Sequence, residues 1–375
     1  MAGTINFMTF NVRHDHHGHS DTTPFASPPV REHPLEKEEF GGEQPWSIRK
    51  WKIVDTILLY SPDILALQET VLHQLQDIQA LLDDEYQWVG VGRIDGDKDG
   101  EISAVFYKRD VLTVEDWKTI WLSEQPEVAG SISWDARHPR TATQVTFKKN
   151  DTVFTVFNTH MDHIGVQARE EGSKLILERA REASAKGAVI LMGDLNSTED
   201  DPAYLCLTNG KYKESKGSND TLANLQELNQ VCASAYSQKS GEPVRTQEGH
   251  ITLPTHRVIR PGQILANLNK QKEQQQQDEQ SPKYFLDAHY ELTSRLAAKG
   301  KPGTLSGPYG FRNTLTSFGE GSQDFARAPI RIDFIMPLES STVHVQVLQS
   351  AILCNQFDDG LYISDHRPVL AKLSW

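Results

Sequence analysis

The stretch Val189-Ile190-Leu191-Met192-Gly193-Asp194-Leu195-Asn196 constrains the fold more than any other part of the chain. Four consecutive apolar residues, two of them β-branched, predict a strand buried on both faces, and the glycine is expected to let the backbone turn sharply at its end. Extended backbone would put Asp194 and Asn196 on one side of a strand's carboxyl end, where α/β proteins place ligands. Taken alone, the pair fits a plain turn equally well, since both residue types favour turns. Five further apolar runs carry an acid, amide or imidazole: Thr9-Phe10-Asn11, Leu65-Ala66-Leu67-Gln68-Glu69, the run from Val156 through Asn158 and His160 to Asp162-His163, Ile332-Asp333-Phe334, and Ile363-Ser364-Asp365-His366. If these tips share one site, both chain ends belong to one domain.

A chain of 375 residues would ordinarily suggest two domains or more, but the spread of polar tips predicts one domain over residues 1–375, with insertions. Its 38% hydrophobic and 24% charged residues suit a soluble globular protein. Fifty-one acids against 38 bases leave a net charge of −13, which repels polyphosphate and counts against strong binding of duplex DNA. Cys206, Cys232 and Cys354 are too scattered for a disulfide framework or a zinc ribbon, which fits a reducing compartment. The opening residues lack a secretory signal, and no apolar run approaches the roughly 18 residues of a membrane span. The expected state is a cytoplasmic or nuclear monomer that is not secreted.

In chain order, residues 5–10 predict a core strand ending at Asn11, followed by a long loop to about residue 46. The loop opens with Arg13-His14-Asp15-His16-His17-Gly18-His19, a tract that could bind zinc or copper. Adjacent histidines rarely converge on one metal without a rigid turn, so the tract is read as a polar loop at the site mouth, with Arg13 available to substrate. Ser47 is expected to cap a helix with Ile48, Trp51, Val54, Ile57 and Leu58 on one face, and Leu72, Leu75, Ile78, Leu81 and Leu82 predict a second. Short alternating runs over residues 88–147 predict antiparallel sheet; residues 95–101 are read as a hairpin rather than a calcium loop. Residues 175–183 have helical spacing, with Gly187 as C-terminal cap, and a short helix is expected over 202–207. Residues 211 to about 283 form a polar insertion ending in a Gln-rich, low-complexity tract. The fold class is α/β.

Asn11, Glu69 and Asp365 offer hard oxygen donors without thiolate, a set suited to Mg2+ or Mn2+ completed by substrate phosphate. Asp194 is the candidate to orient or deprotonate a water, with Asn196 fixing its geometry. His366 can contact phosphoryl oxygens as imidazolium. Asp333, in an apolar strand, needs a partner, and His366 is the natural one. His160 could act similarly, held by Glu101. Arg140 is a candidate phosphate grip, and Asp162 and His163 are read as site-lining.

These short motifs, in this order and across nearly the whole chain, resemble the endonuclease/exonuclease/phosphatase superfamily. The Trp121-Leu122-Ser123 and Thr159-His160-Met161-Asp162-His163 stretches are distantly similar to its deadenylase and nocturnin type. The resemblance implies a four-layer α/β/β/α sandwich of two mixed, largely antiparallel sheets flanked by helices, with the site where the sheets meet. It implies metal binding by Glu69 with Asn11 and Asp365, water activation by Asp194 with Asn196, and a phosphate-directed pair of His366 and Asp333, with Glu101 paired to His160. The expected function is divalent-metal-dependent hydrolysis of phosphate esters, foremost as a phosphodiesterase or nuclease on RNA or short single strands. A phosphatase of inositol or sugar phosphates is the alternative, and a non-enzymatic metal-binding protein is a third reading.

Overall fold

Alternating apolar residues in the central strands feed separate cores on their two faces. In the computed structural model, which describes residues 4–15, 42–212, 245–247, 250–252, 258–259, 283–292, 308–319, 330–340 and 343–375, the chain begins with β1 (Thr4–Asn11), α1 (Trp46–Tyr60), β2 (Ile64–Gln68), α2 (Leu72–Leu82), β3 (Tyr86–Val89) and β4 (Val105–Lys108). It continues through β5 (Thr113–Trp121), β6 (Thr141–Lys149), β7 (Thr152–His160), α3 (Val166–Ala183), β8 (Ala188–Asp194) and α4 (Pro202–Thr208). The remaining elements are β9 (Arg245–Gln247), β10 (His250–Thr252), β11 (Val258–Ile259), a helical turn α5 (Ala288–Glu291), β12 (Tyr309–Gly310), β13 (Asp333–Pro337), β14 (Gln346–Ile352) and β15 (Val369–Ser374).

One sheet has seven strands in the order β12-β14-β15-β1-β2-β4-β3, and the other has five, β13-β8-β7-β6-β5. Within these two sheets β1/β2, β12/β14 and β7/β8 pair in parallel; the rest are antiparallel, which gives the mixed, largely antiparallel sandwich expected. Pairing of Thr4 with Ser374 through Thr9 with Val369 puts the two chain ends side by side in the larger sheet. Within the 211–283 segment, β9 to β11 make a separate three-stranded ribbon; the Gln-rich tract lies outside the described residues.

Between the sheets Phe7, Ile64 and Val105 meet Phe154, Val156, Ile190 and Met192. On the outer face of the larger sheet Met8, Phe10, Leu65 and Leu67 pack on Ile53 and Ile57 of α1 and on Leu75 and Ile78 of α2. Across the smaller sheet Phe157, Val189 and Leu191 pack on Ile176 and Ala180 of α3 and Tyr204 and Leu207 of α4. β8 therefore feeds two cores, and every one of its residues is buried. Val189 and Leu191 on one face and Ile190 and Met192 on the other contribute about 1.5–3 kcal/mol apiece relative to exposure.

Three details differ from the sequence reading. Helix α1 starts after Pro45 rather than Ser47, and its buried stripe contains Trp46, Arg49, Lys50 and Ile53, while Leu58 is exposed. Apolar periodicity cannot register a face that buries two cations. Gly193 does not turn the chain: it lies within β8 at φ 136°, where a Cβ would meet the Thr159 carbonyl oxygen at 2.0 Å. Likewise α3 ends at Ser184, and Gly187 is required by the Val153 carbonyl, 2.0 Å from where a Cβ would sit.

Candidate active site

Strand register assembles the floor of the site. Parallel pairing of β7 with β8 sets His160 opposite Asp194, and antiparallel pairing of β13 with β8 sets Asp333 opposite the same residue. From the other sheet, Asn11 ends β1 opposite Gln68, and Glu69 follows in a left-handed conformation at φ 60°. The sheets are tied just below by buried amides: Gln68 Nε2 donates to Asn158 Oδ1 at 2.7 Å, and Asn158 Nδ2 donates to the Leu67 and Ala104 carbonyls at 2.9 and 2.7 Å. These hydrogen bonds satisfy the Leu67 and Ala104 carbonyls, polar groups that are costly to bury without partners.

Asn11 bridges the two carboxylates, its Nδ2 lying 3.0 Å from both Glu69 Oε1 and Asp194 Oδ2 while its Oδ1 accepts the Arg13 N–H. Asp194 Oδ1 accepts the Asn196 N–H at 2.8 Å, and the Asn196 side chain, on left-handed backbone, donates to the Met161 carbonyl. Asp194 Oδ2 faces two imidazoles, His160 Nε2 at 3.6 Å and His366 Nε2 at 3.8 Å.

Each imidazole is backed by a carboxylate. His366 Nδ1 lies 2.8 Å from Asp333 Oδ2, and the Ser364 hydroxyl accepts the His366 N–H while donating to the Asn11 carbonyl. Burial alone would lower the His366 imidazole, but the Asp333 and Asp194 carboxylates outweigh it and push it up to about 10, so it is imidazolium at neutral pH. Burial raises the Asp333 carboxyl against the pull of His366. His160 Nδ1 is 3.4 Å from Glu101 Oε2. Burial would raise Glu101, yet His160 and Arg140 hold it down at about 2, and Arg93 Nη1 lies 2.7 Å from the same carboxylate.

A cavity of about 590 Å3 opens over this floor. Arg13, Glu69, Glu101, Arg140, His160, His163, Asp194, Asn196, Asp365 and His366 all line it; Asn11 lies directly beneath Glu69 and Asp194, and Asp162 and Asp333 stand behind as supports. Buried Asp162 accepts the N–H groups of Arg137, Ile164 and Gly165 and lies 3.7 Å from Arg140 Nε; burial is outweighed by Arg140 and these N–H groups, which hold it at about 2. Arg140 Nη2 donates to His163 Nδ1 at 3.0 Å, while its Nη1 lies 3.8 Å from Glu101 Oε2, so the guanidinium is held between the Glu101 and Asp162 carboxylates at the cavity wall. Burial raises the Asp365 carboxyl, opposed by His366 and Arg13.

Sequence reasoning did not assign roles to His14, Arg93 and His138, which also line the cavity. His14 is hydrogen-bonded to Glu69, its Nδ1 lying 3.1 Å from Oε2, and this bond raises the imidazole above its ordinary value. With Arg13 Nη1 at 3.7 Å and His160 nearby, it holds Glu69 well below the carboxylate range against burial. The signal for His14 was present in the histidine tract; His16, His17 and His19 lie outside the described residues.

Carboxylate and imidazole atoms of Glu69, His160 and Asp194 lie within 4.8 Å of one another, as do those of Asp194, Asp333 and His366. The first group, beside Asn11 and with Asp365 lining the same cavity, is rich in oxygen donors and fits a hard divalent cation. In the second, His366 is committed to Asp333 as a cation, which makes it a poor ligand.

The profile of the endonuclease/exonuclease/phosphatase family matches residues 8–211, more than half of the chain. No curated protein matches it in sequence. Among solved structures, an endonuclease/exonuclease/phosphatase of Bacteroides vulgatus superposes with a TM-score of 0.63 at 24% identity, over 99% of this chain and 98% of that one. A mannosyl-6-phosphatase of Bacteroides thetaiotaomicron gives 0.60 at 22% identity, over 99% and 100%. The catalytic domain of human Nocturnin with a bound sulfate anion gives 0.52 at 15% identity, over 100% and 97%. At these identities the likeness is one of fold.

Proposed function

The chain belongs to the endonuclease/exonuclease/phosphatase family of phosphoester hydrolases, and on that premise we propose that it hydrolyses a small phosphate ester with the help of Mg2+ or Mn2+. The observation that carries this reading is the Asp194 carboxylate held between two imidazoles, one of them an imidazolium, beside Glu69 on the floor of the cavity. Glu69 would hold the cation with Asn11 and Asp365; once bound, it would neutralise phosphoryl charge and orient the ester. Asp194, fixed by the Asn196 N–H and the Asn11 amide, orients an attacking water and takes its proton. The His366 imidazolium, steadied by Asp333, donates to a phosphoryl oxygen where negative charge grows. His160, backed by Glu101, faces the same carboxylate from the other side, and Arg140, ion-paired with Glu101 and Asp162, adds positive charge to the cavity wall.

The sequence alone favours RNA or a short strand over duplex DNA, on the net charge of −13. The cavity favours something smaller: at about 590 Å3, and lined by Arg13, Arg93, Arg140 and five histidines, it suits one phosphorylated polar molecule of sugar size. The similarity to a mannosyl-6-phosphatase supports the same choice. No helix among the described residues is long and apolar enough to cross a membrane, and Cys206 and Cys354 are free thiols. The test is a panel of sugar phosphates, inositol phosphates, chromogenic mono- and diesters, oligoadenylate and duplex DNA, assayed with Mg2+, with Mn2+ and with chelator, using Asp194→Asn as the blank. Sugar monoesters should turn over fastest. Faster cleavage of oligoadenylate would restore the nuclease reading, and full activity in chelator would overturn the metal mechanism.

A further inference from the structure

Helix α1 carries a buried guanidinium that the chemistry above does not use. Arg49 Nη1 donates to the Val12 and Ile363 carbonyls at 2.7 Å each, Nη2 donates to the Arg13 carbonyl at 3.2 Å, and Nε donates to the Gln44 carbonyl at 2.8 Å. Its side chain is 1% exposed, and all of these hydrogen bonds go to main-chain carbonyls rather than to a carboxylate. Burying a cation without a paired carboxylate is costly, so the carbonyl fork must be worth more than packing.

What the fork holds is specific. Val12 and Arg13 directly follow Asn11, and Ile363 lies two residues before Asp365 and three before His366. Arg13 sits at φ 60°, a conformation an arginine rarely adopts, and its carbonyl is gripped by both Arg49 and Gln74 Nε2, the latter at 3.1 Å. A second rung, the Ser364 hydroxyl donating to the Asn11 carbonyl at 2.6 Å, lies next to the first. One planar side chain thus sets the spacing between two loops from opposite ends of the sequence, each bearing a proposed cation ligand.

We propose that Arg49 is a positioning residue of the hydrolytic centre, holding the Asn11 loop and the Asp365–His366 loop at the separation that cation binding and turnover require. The proposal rests on the phosphohydrolase reading for turnover and on the chain's own geometry for cation affinity.

Arg49→Met and Arg49→Lys would be compared with Lys50→Met. Lys50 is equally buried on the same helix but pairs with Asp77, so its loss removes a buried cation without touching either loop. The readouts are melting temperature, Mn2+ affinity by calorimetry, and kcat and KM on a chromogenic phosphate ester. Arg49→Met should weaken Mn2+ affinity at least tenfold and lower kcat about a hundredfold with KM within threefold, whereas Lys50→Met, at a similar loss of melting temperature, keeps affinity and kcat within threefold. If Arg49→Met does not fold, Arg49→Lys decides: an ammonium cannot reproduce the planar fork, so a roughly tenfold loss in both affinity and kcat is expected. Unchanged affinity and kcat in a folded Arg49 variant, or equal losses in Lys50→Met, would overturn the proposal. Wild-type protein that binds Mn2+ but hydrolyses no ester overturns the proposed function alone, and the affinity comparison still decides Arg49; wild-type protein that binds no Mn2+ overturns both.

Discussion

Two imidazoles face the Asp194 carboxylate, and they differ in what stands behind them. Asp333 serves His366 at 2.8 Å, with its backbone N–H held by Thr314. Glu101 serves His160 at 3.4 Å but is shared with Arg93 at 2.7 Å and Arg140 at 3.8 Å. A carboxylate devoted to one imidazole keeps that imidazole protonated, and His366 is pushed up to about 10. A carboxylate divided among cations is itself driven down, and Glu101 sits at about 2. Near-identical residue pairs can thus supply opposite services: a permanent positive charge on the His366 side and a fixed negative charge that organises arginines on the His160 side.

Removing the residue common to both arms should have the largest effect. Asp194→Asn keeps the volume and the hydrogen bond from Asn196 but loses the base, and kcat should fall about 10²–10⁴-fold with melting temperature nearly unchanged. A variant within a few-fold of wild type would remove Asp194 from the chemistry.

The arms themselves should then separate. We expect His366→Gln to lower kcat about 10²–10³-fold, against about tenfold for His160→Gln. Equal losses would erase the comparison. Asp333→Asn combined with His366→Gln should cost little more than His366→Gln alone, because the two act as a unit, and a cycle showing multiplicative losses would separate them.

pH distinguishes the arms by sign. His366 binds its proton more tightly folded than unfolded, so its contribution to stability is full below pH 6.5 and is lost as pH rises towards about 10. Unfolding of metal-free protein should become easier across that window, and His366→Gln should flatten the dependence. Glu101 is depressed from 4.5 to about 2, so its contribution is present above pH 4.5 and disappears as pH falls towards 2. Denaturant melts of Glu101→Gln should show a weaker acid dependence, and this effect should be the smallest because the carboxylate is partly open to the cavity.

Much of this was legible in one dimension. The apolar runs and their tips report strand faces directly, since a period of two ties each side chain to one side of a sheet. That is why the two-faced burial of β8, the layering of α2 and α3 on the sheets, and the strand-end residues Asn11, Glu69, His160, Asp194 and Asp365 that line or support the cavity follow from local pattern. The pairing of Asp333 with a distant histidine was also reachable, because a buried carboxylate in an apolar strand demands a partner and the candidates were few.

Other features depended on residues far apart in sequence. Nothing local to α1 announces that Arg49 and Lys50 face inward, because their partners come from the Val12 and Ile363 loops and from Asp77. Nor does the sequence say that Glu101 is shared among three basic side chains, since Arg93, Arg140 and His160 converge on it from separate strands and loops. Gly193 likewise shows its reason only against the Thr159 carbonyl of the neighbouring strand. The sequence by itself determined which residue types stand at which strand ends, because backbone periodicity is a local property. Only the tertiary structure decided which of them share a partner and hence which carries charge, because Coulomb and hydrogen-bond energies depend on distances that the chain closes over hundreds of residues.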